Sequence, residues 1–230
     1  MIFGGFQKLT LLDYPGKVSC TIFTKGCNFR CPFCHNALLV EGKDSDNFTD
    51  SEVLEYLKKR QGILEGVCIS GGEPLMQPEI EEFIRKVKEL GYCVKLDTNG
   101  SYPEKLKLLV SAGLVDYVAM DVKNSFEKYG ETAGVPELRL DKIKESINFL
   151  LEGNVDYEFR TTVAKGLHTV GDIKALTQHI VGAKKYFLQN FQDSGNILGG
   201  SGCLGPVDES TLSAMFEQAL TNVDNSKIRG

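Results

Sequence analysis

The chain has 230 residues, 42% of them hydrophobic and 25% charged, with a formal net charge of -5. That length serves one core of ordinary size, so a single domain over 1–230 is expected. The acidic balance argues against a nucleic-acid-binding face, and no apolar run approaches the roughly 20 residues that cross a bilayer.

At the N-terminus, Met-Ile-Phe-Gly-Gly-Phe-Gln-Lys8 has no basic region followed by a long apolar one, which predicts a cytoplasmic protein. A first strand is predicted over Val18–Phe23. Behind it stands Lys25-Gly-Cys-Asn-Phe-Arg-Cys-Pro-Phe-Cys-His35, in which Cys27, Cys31 and Cys34 are spaced C-x3-C-x2-C. Three soft thiolates on one short loop can hold a metal ion or an iron–sulfur cluster, and they are one ligand short of a closed four-coordinate site. A structural zinc ion would take its fourth ligand from His35 or a distant residue, although His35 adjoins Cys34 and neighbours rarely reach one tetrahedral ion together. A cubane cluster would leave one iron open to a small molecule.

Further along, Thr49-Asp-Ser-Glu52 reads as a capping box ahead of Val53, Leu54 and Leu57. A second strand, Val67–Ser70, runs into Gly71-Gly72-Glu73-Pro74. Ile80, Phe83, Ile84, Val87 and Leu90 form one helical stripe. The third strand, Cys93–Asp97, ends in Asp97-Thr98-Asn99-Gly100, and the fourth, Val115–Asp121, is followed by Lys123. The stretch 123–140 shows little periodicity. Ile143, Ile147, Leu150 and Leu151 mark another helix before a fifth strand, Tyr157–Val163, where Arg160 and Thr162 share one face. Asp172 is read as the cap of a helix carrying Ile173, Leu176 and Ile180. A sixth strand is expected over Tyr186–Phe191, then a loop over 192–205 and a last amphipathic helix from Asp208 with Leu212, Met215, Phe216, Ala219 and Leu220.

Strands alternating with helices predict an α/β fold with a parallel sheet, the βα core covering about 18–191. Six units are too few for a closed eight-stranded barrel, so the candidates are an incomplete (β/α)6 barrel and an open doubly wound sheet. Both gather ligands at the carboxyl ends of the strands, where the polar residues named above fall. An inward Arg160 suits a carboxylate held bidentately, the alternative being a structural pair with Glu158 or another acidic neighbour. Cys20, Cys68, Cys93 and Cys203 lack ligand spacing, so one cluster and no second is expected.

The C-x3-C-x2-C motif with aromatic Phe33 before its last cysteine resembles the defining motif of the radical S-adenosylmethionine superfamily. Phe6 to Lys17, containing Leu-Leu-Asp-Tyr-Pro-Gly, and Phe187-Leu-Gln-Asn-Phe191 resemble the activating proteins of anaerobic ribonucleoside-triphosphate reductases. The resemblance implies an incomplete barrel and one 4Fe-4S cluster on Cys27, Cys31 and Cys34, whose fourth iron takes S-adenosylmethionine. It implies that Phe33, Cys34 and His35 belong to the cofactor site, with Phe33 along the adenine. Gly71, Gly72 and Glu73 would meet the methionyl amino group, glycine allowing close approach of a ligand. Asp97, Thr98 and Asn99 would contact ribose and methionine, and Lys123 would face the cofactor carboxylate along with Arg160 and Thr162. Asp97 and Asp121 would hold a monovalent cation. Some relatives place a histidine near Gln189 and Asn190, where this chain has none.

The implied reaction is reductive cleavage of S-adenosylmethionine to methionine and a 5'-deoxyadenosyl radical, which installs a glycyl radical on an anaerobic ribonucleotide reductase or similar enzyme. Flavodoxin or ferredoxin would be the electron donor, since residues 38–66 contain no cysteine for a second cluster. Two other functions fit the same residues: a radical enzyme modifying a small molecule or peptide, and a non-catalytic metal-bound interaction module.

Overall fold

The computed structural model describes residues 1–43 and 47–229. Its strands are β1 (Ile2–Thr10), β2 (Ser19–Thr24), β3 (Phe48–Thr49), β4 (Gly66–Gly71), β5 (Cys93–Thr98), β6 (Tyr117–Asp121), β7 (Asp156–Val163), β8 (Tyr186–Asn190) and β9 (Ser226–Arg229). They form one sheet in the order β3-β1-β2-β4-β5-β6-β7-β8-β9. The six predicted strands are β2 and β4 to β8, and every neighbouring pair among them is parallel. The fold is the expected incomplete barrel, extended at its edges. Antiparallel β1 and β3 add to one side, and β9 adds parallel to β8 on the other. β1 escapes a period-two reading because its register shifts between Phe3 and Gly5 and again between Gln7 and Thr10.

The helices are α1 (Ala37–Glu41), α2 (Asp50–Lys59), α3 (Ile80–Glu89), α4 (Pro103–Ser111), α5 (Tyr129–Ala133), α6 (Leu140–Leu151), α7 (Val170–Gln178) and α8 (Glu209–Leu220). The predicted capping box at Thr49 and Glu52 is present on α2. Asp172 is not the cap of α7: Thr169 is, and Asp172 lies three residues inside, closing a second capping box. The extra turn is set by Thr169, whose extended backbone and short hydroxyl suit a cap. The aperiodic stretch after Lys123 contains α5. No helix among the described residues is long and apolar enough to cross a membrane.

Alternation along the strands divides the molecule. Ile22, Ile69, Leu96, Met120, Phe159 and Leu188 are buried in one apolar cluster with the stripes of α3, α4, α6 and α7, each side chain contributing about 1.5–3 kcal/mol by burial. The residues between them point the other way. Thr21, Cys68, Lys95 and Tyr117 lie in register across β2, β4, β5 and β6, and Asp121, Arg160 and Phe187 continue across β6, β7 and β8. Parallel strands buried on both faces normally carry continuous apolar runs. β4 and β6 keep such runs across residues 67–69 and 117–120, whereas the inner face carries Asp97, Asp121 and Arg160 where the strand ends border a cavity.

Candidate cofactor site at the strand ends

The cysteine loop is pinned from three sides. Gly26 N donates to Leu39 O at 2.9 Å, Arg30 N to Ala133 O at 2.8 Å, and Leu198 N and Gly199 N to the carbonyls of Cys34 and Pro32 at 3.1 and 2.9 Å. The first anchor comes from α1, the second from the end of α5, and the last two from loop 192–205. That loop is organised by Asp193, which accepts bonds from Gly195 N, Ser201 Oγ and Gly202 N.

The loop after β4 packs directly beneath. Gly72 N donates to Thr24 O at 3.0 Å and Glu73 N to Gly26 O at 2.9 Å. A Cβ on Gly72 would stand 1.8 Å from the Gly26 carbonyl oxygen. Glycine is therefore required by the chain's own cysteine loop. Glu73 turns away from the cavity and is 0% exposed. Its carboxylate accepts from Leu75 N at 3.0 Å, Thr98 Oγ1 at 2.8 Å and Asn99 N at 2.7 Å, tying this loop to the end of β5. Burial pushes its pKa up to about 7 against the pull of those donors. Thr98 is committed to the same bond, and Asn99 Nδ2 reaches Asn28 Oδ1 at 3.0 Å and Cys27 Sγ at 3.8 Å.

All three clustered cysteines border a cavity of about 660 Å³, along with Phe33, His35, Gly71, Gly72, Thr98 and Asn99. Burial raises the thiol pKa to about 11 at Cys27 and about 12 at Cys31, and raises that of Cys34. Neutral thiols that become thiolates only on binding iron are the state a ligand set takes before loading. Among the described residues no group of three His, Cys, Asp or Glu side chains converges as a single ion requires. Three thiols lining one cavity suit a cluster, which gives each cysteine a different iron. Phe33, 4% exposed, lies 5.9 Å from Lys123 Nζ by its ring centre. His35 lies beside Phe191 at 5.5 Å, with Nδ1 3.4 Å from Ser194 Oγ.

A ladder of alternating charge crosses β5, β6 and β7, and its Asp97, Asp121, Lys123 and Arg160 line the same cavity as the thiols. Lys95 Nζ donates to Asp97 Oδ1, Arg160 Nη1 to Asp97 Oδ2 at 3.2 Å, Arg160 Nε to Asp121 Oδ1 at 2.9 Å, and Lys123 Nζ to Asp121 Oδ2 at 3.1 Å. Burial alone would raise both carboxyls, but Arg160 and a lysine outweigh it, holding Asp97 low and Asp121 at about 2. Arg160 thus pairs with acidic neighbours, as the structural alternative allowed, but these are Asp97 and Asp121 and not Glu158. Glu158 is taken by Arg229 at 2.8 and 3.2 Å and by Tyr117 Oη at 2.9 Å. Thr162 borders the cavity as expected, and so do Gln189 and Asn190, the latter's amide being bonded to Val207.

Asp13 and Arg229 also line the cavity and were not singled out from the sequence. Asp13, which accepts from Thr21 Oγ1 at 2.5 Å, belongs to the Leu-Asp-Tyr-Pro-Gly run and could have been found there. Arg229 stacks 3.6 Å over Phe187 from β9, a strand too short to leave a period.

Residues 21–175 match the model of the radical S-adenosylmethionine (Radical SAM) superfamily, and the chain belongs to that superfamily. Within it, the chain is 35% identical over 234 residues to a Methanocaldococcus jannaschii protein whose name assigns it provisionally to the glycyl-radical enzyme activating enzymes, covering 98% of this chain and 94% of that one. The pyruvate formate-lyase-activating enzyme of Clostridium pasteurianum is 26% identical over 204 residues, 78% of this chain and 83% of its own. The fold also matches the crystal structure of Streptococcus suis SuiB bound to its precursor peptide SuiA, with a TM-score of 0.71 at 16% identity, over 91% of this chain and 48% of that one. This chain spans about half the length of SuiB.

Proposed function

We propose that this radical S-adenosylmethionine enzyme activates a glycyl-radical enzyme, the expected acceptor being an anaerobic ribonucleotide reductase. The near full-length likeness to the Methanocaldococcus jannaschii protein carries this reading. Cys27, Cys31 and Cys34 would hold the 4Fe-4S cluster, which when bound supplies the electron that cleaves S-adenosylmethionine to methionine and a 5'-deoxyadenosyl radical. The chain's own residues bind and orient. Lys123 and Arg160 give the ladder one positive charge in surplus, from three cations against two carboxylates, suited to the cofactor carboxylate. Phe33 offers an apolar edge for adenine, and the backbone of Gly71 and Gly72 offers carbonyls for the amino group. His35, Asn99 and Thr162 complete the wall. Glu73 and Thr98 act from behind, by fixing the loops. The whole of 1–230 serves as one domain in the cytoplasm, reduced by flavodoxin or ferredoxin.

The test is anaerobic mixing of reduced protein, S-adenosylmethionine and candidate reductases, followed by electron paramagnetic resonance. A glycyl doublet on the partner is expected. Deoxyadenosine release with no partner radical across the glycyl-radical enzymes tried would instead assign a small-molecule or peptide substrate. Cys31→Ala is expected to abolish deoxyadenosine formation, read by chromatography, and turnover retained at the wild-type rate would refute that ligand.

A further inference from the structure

Every oxygen of Asp97 and Asp121 already faces a protein cation. Lys95 and Arg160 take the two oxygens of Asp97, and Arg160 and Lys123 take those of Asp121. Ser70 Oγ adds a bond to Asp97 Oδ2 at 3.2 Å. These two carboxylates are the pair at which a monovalent cation is implied by family resemblance, and as arranged they do not fit one. An incoming ion would enter a cluster that is already positive by one charge and would have to share every carboxylate oxygen with a protein cation.

Lys95 explains the disagreement. It stands two residues before Asp97 on β5, so both side chains project to the same face of the strand. Its side chain is 2% exposed, and its ammonium reaches Cys68 Sγ at 3.7 Å besides Asp97. A buried ammonium with no carboxylate partner would be driven to lose its proton; paired with Asp97 it keeps its charge. We infer that Lys95 stands in the place of the monovalent cation, as a tethered ion that holds Asp97 toward Arg160 and makes the site independent of sodium and potassium.

The functional meaning rests on the proposed cofactor site, but the ion chemistry can be read without S-adenosylmethionine. Sodium-23 line broadening is measured on anaerobically purified protein in choline chloride, at constant ionic strength. The wild type is expected to give no saturable broadening. Lys95→Met is expected to give saturable broadening that potassium competes away and that adding Asp121→Asn removes. Saturable sodium binding by the wild type overturns the inference, and needs no variant to fold. Folded Lys95→Met that binds no sodium overturns it as well.

A second arm measures S-adenosylmethionine affinity by calorimetry. Wild type and Lys95→Arg should bind equally in choline and potassium buffers, whereas Lys95→Met should bind about tenfold more weakly in choline and recover in potassium. A wild-type affinity that rises with potassium contradicts the inference. Failure of the wild type to bind S-adenosylmethionine in any buffer would sink the proposed function and leave the sodium result to decide Lys95.

Discussion

Glu73 shows how a residue in a motif can serve the fold and the site at once. Its carboxyl is harder to ionise in the folded protein, at about 7, than in the unfolded chain, at about 4.3. The folded state therefore binds this proton more tightly, and the stability it lends is full below about 4.3 and is lost as pH rises through about 7. Glu73→Gln should flatten that fall, by a few kcal/mol across the window, when urea midpoints of both proteins are followed from acid to neutral pH. Gly72→Ala should be harsher, since its methyl would enter the Gly26 carbonyl. Moving the backbone apart costs about 1–3 kcal/mol or more, and a drop in iron retained per chain on gel filtration checks it. The three cysteines stood out as candidate ligands from spacing alone, because they lie on one short loop, and the structure brings all three to one cavity. The turn of Glu73 away from the cavity and the partners of Arg160 were not legible, because those partners arrive from strands that only the folded sheet brings near.

The helices were legible where their stripes were long and capped, and the short pieces were not. α3 buries Ile80, Phe83, Ile84 and Val87 as its periodicity implied, while five-residue α5 is set by tertiary contacts with the cysteine loop. The capping box of α7 yields a sharp expectation about which residue is the cap. Thr169→Ala should cost about 1 kcal/mol in thermal or chemical unfolding, since it removes the side-chain acceptor of the Asp172 N–H and leaves only the Thr169 carbonyl. Thr169→Ser should cost far less. Loop 192–205, aperiodic in sequence, is nonetheless bonded to the carbonyls of Pro32 and Cys34, so a composition that reads as slack chain forms a wall of the site.

Across the whole molecule, the apolar core lies between sheet and helices while the charges lie inside the curve of the sheet. Phe159 and Arg160 are neighbours in sequence with opposite duties. Phe159→Ala should lose about 3–5 kcal/mol of stability in denaturant titration, as for other buried aromatic truncations. Six parallel strands were readable from the alternation of strand and helix, though not their order, whereas β9 and the bulged β1 carried too little pattern to register. The inner and outer faces of each strand are written in alternate letters of the same sequence. A lineage, or a combinatorial library, can thus rewrite every second residue of β5, β6, β7 and β8 to accept a new molecule while the intervening letters keep the fold, so that foldability and chemistry are inherited on separate, interleaved tracks.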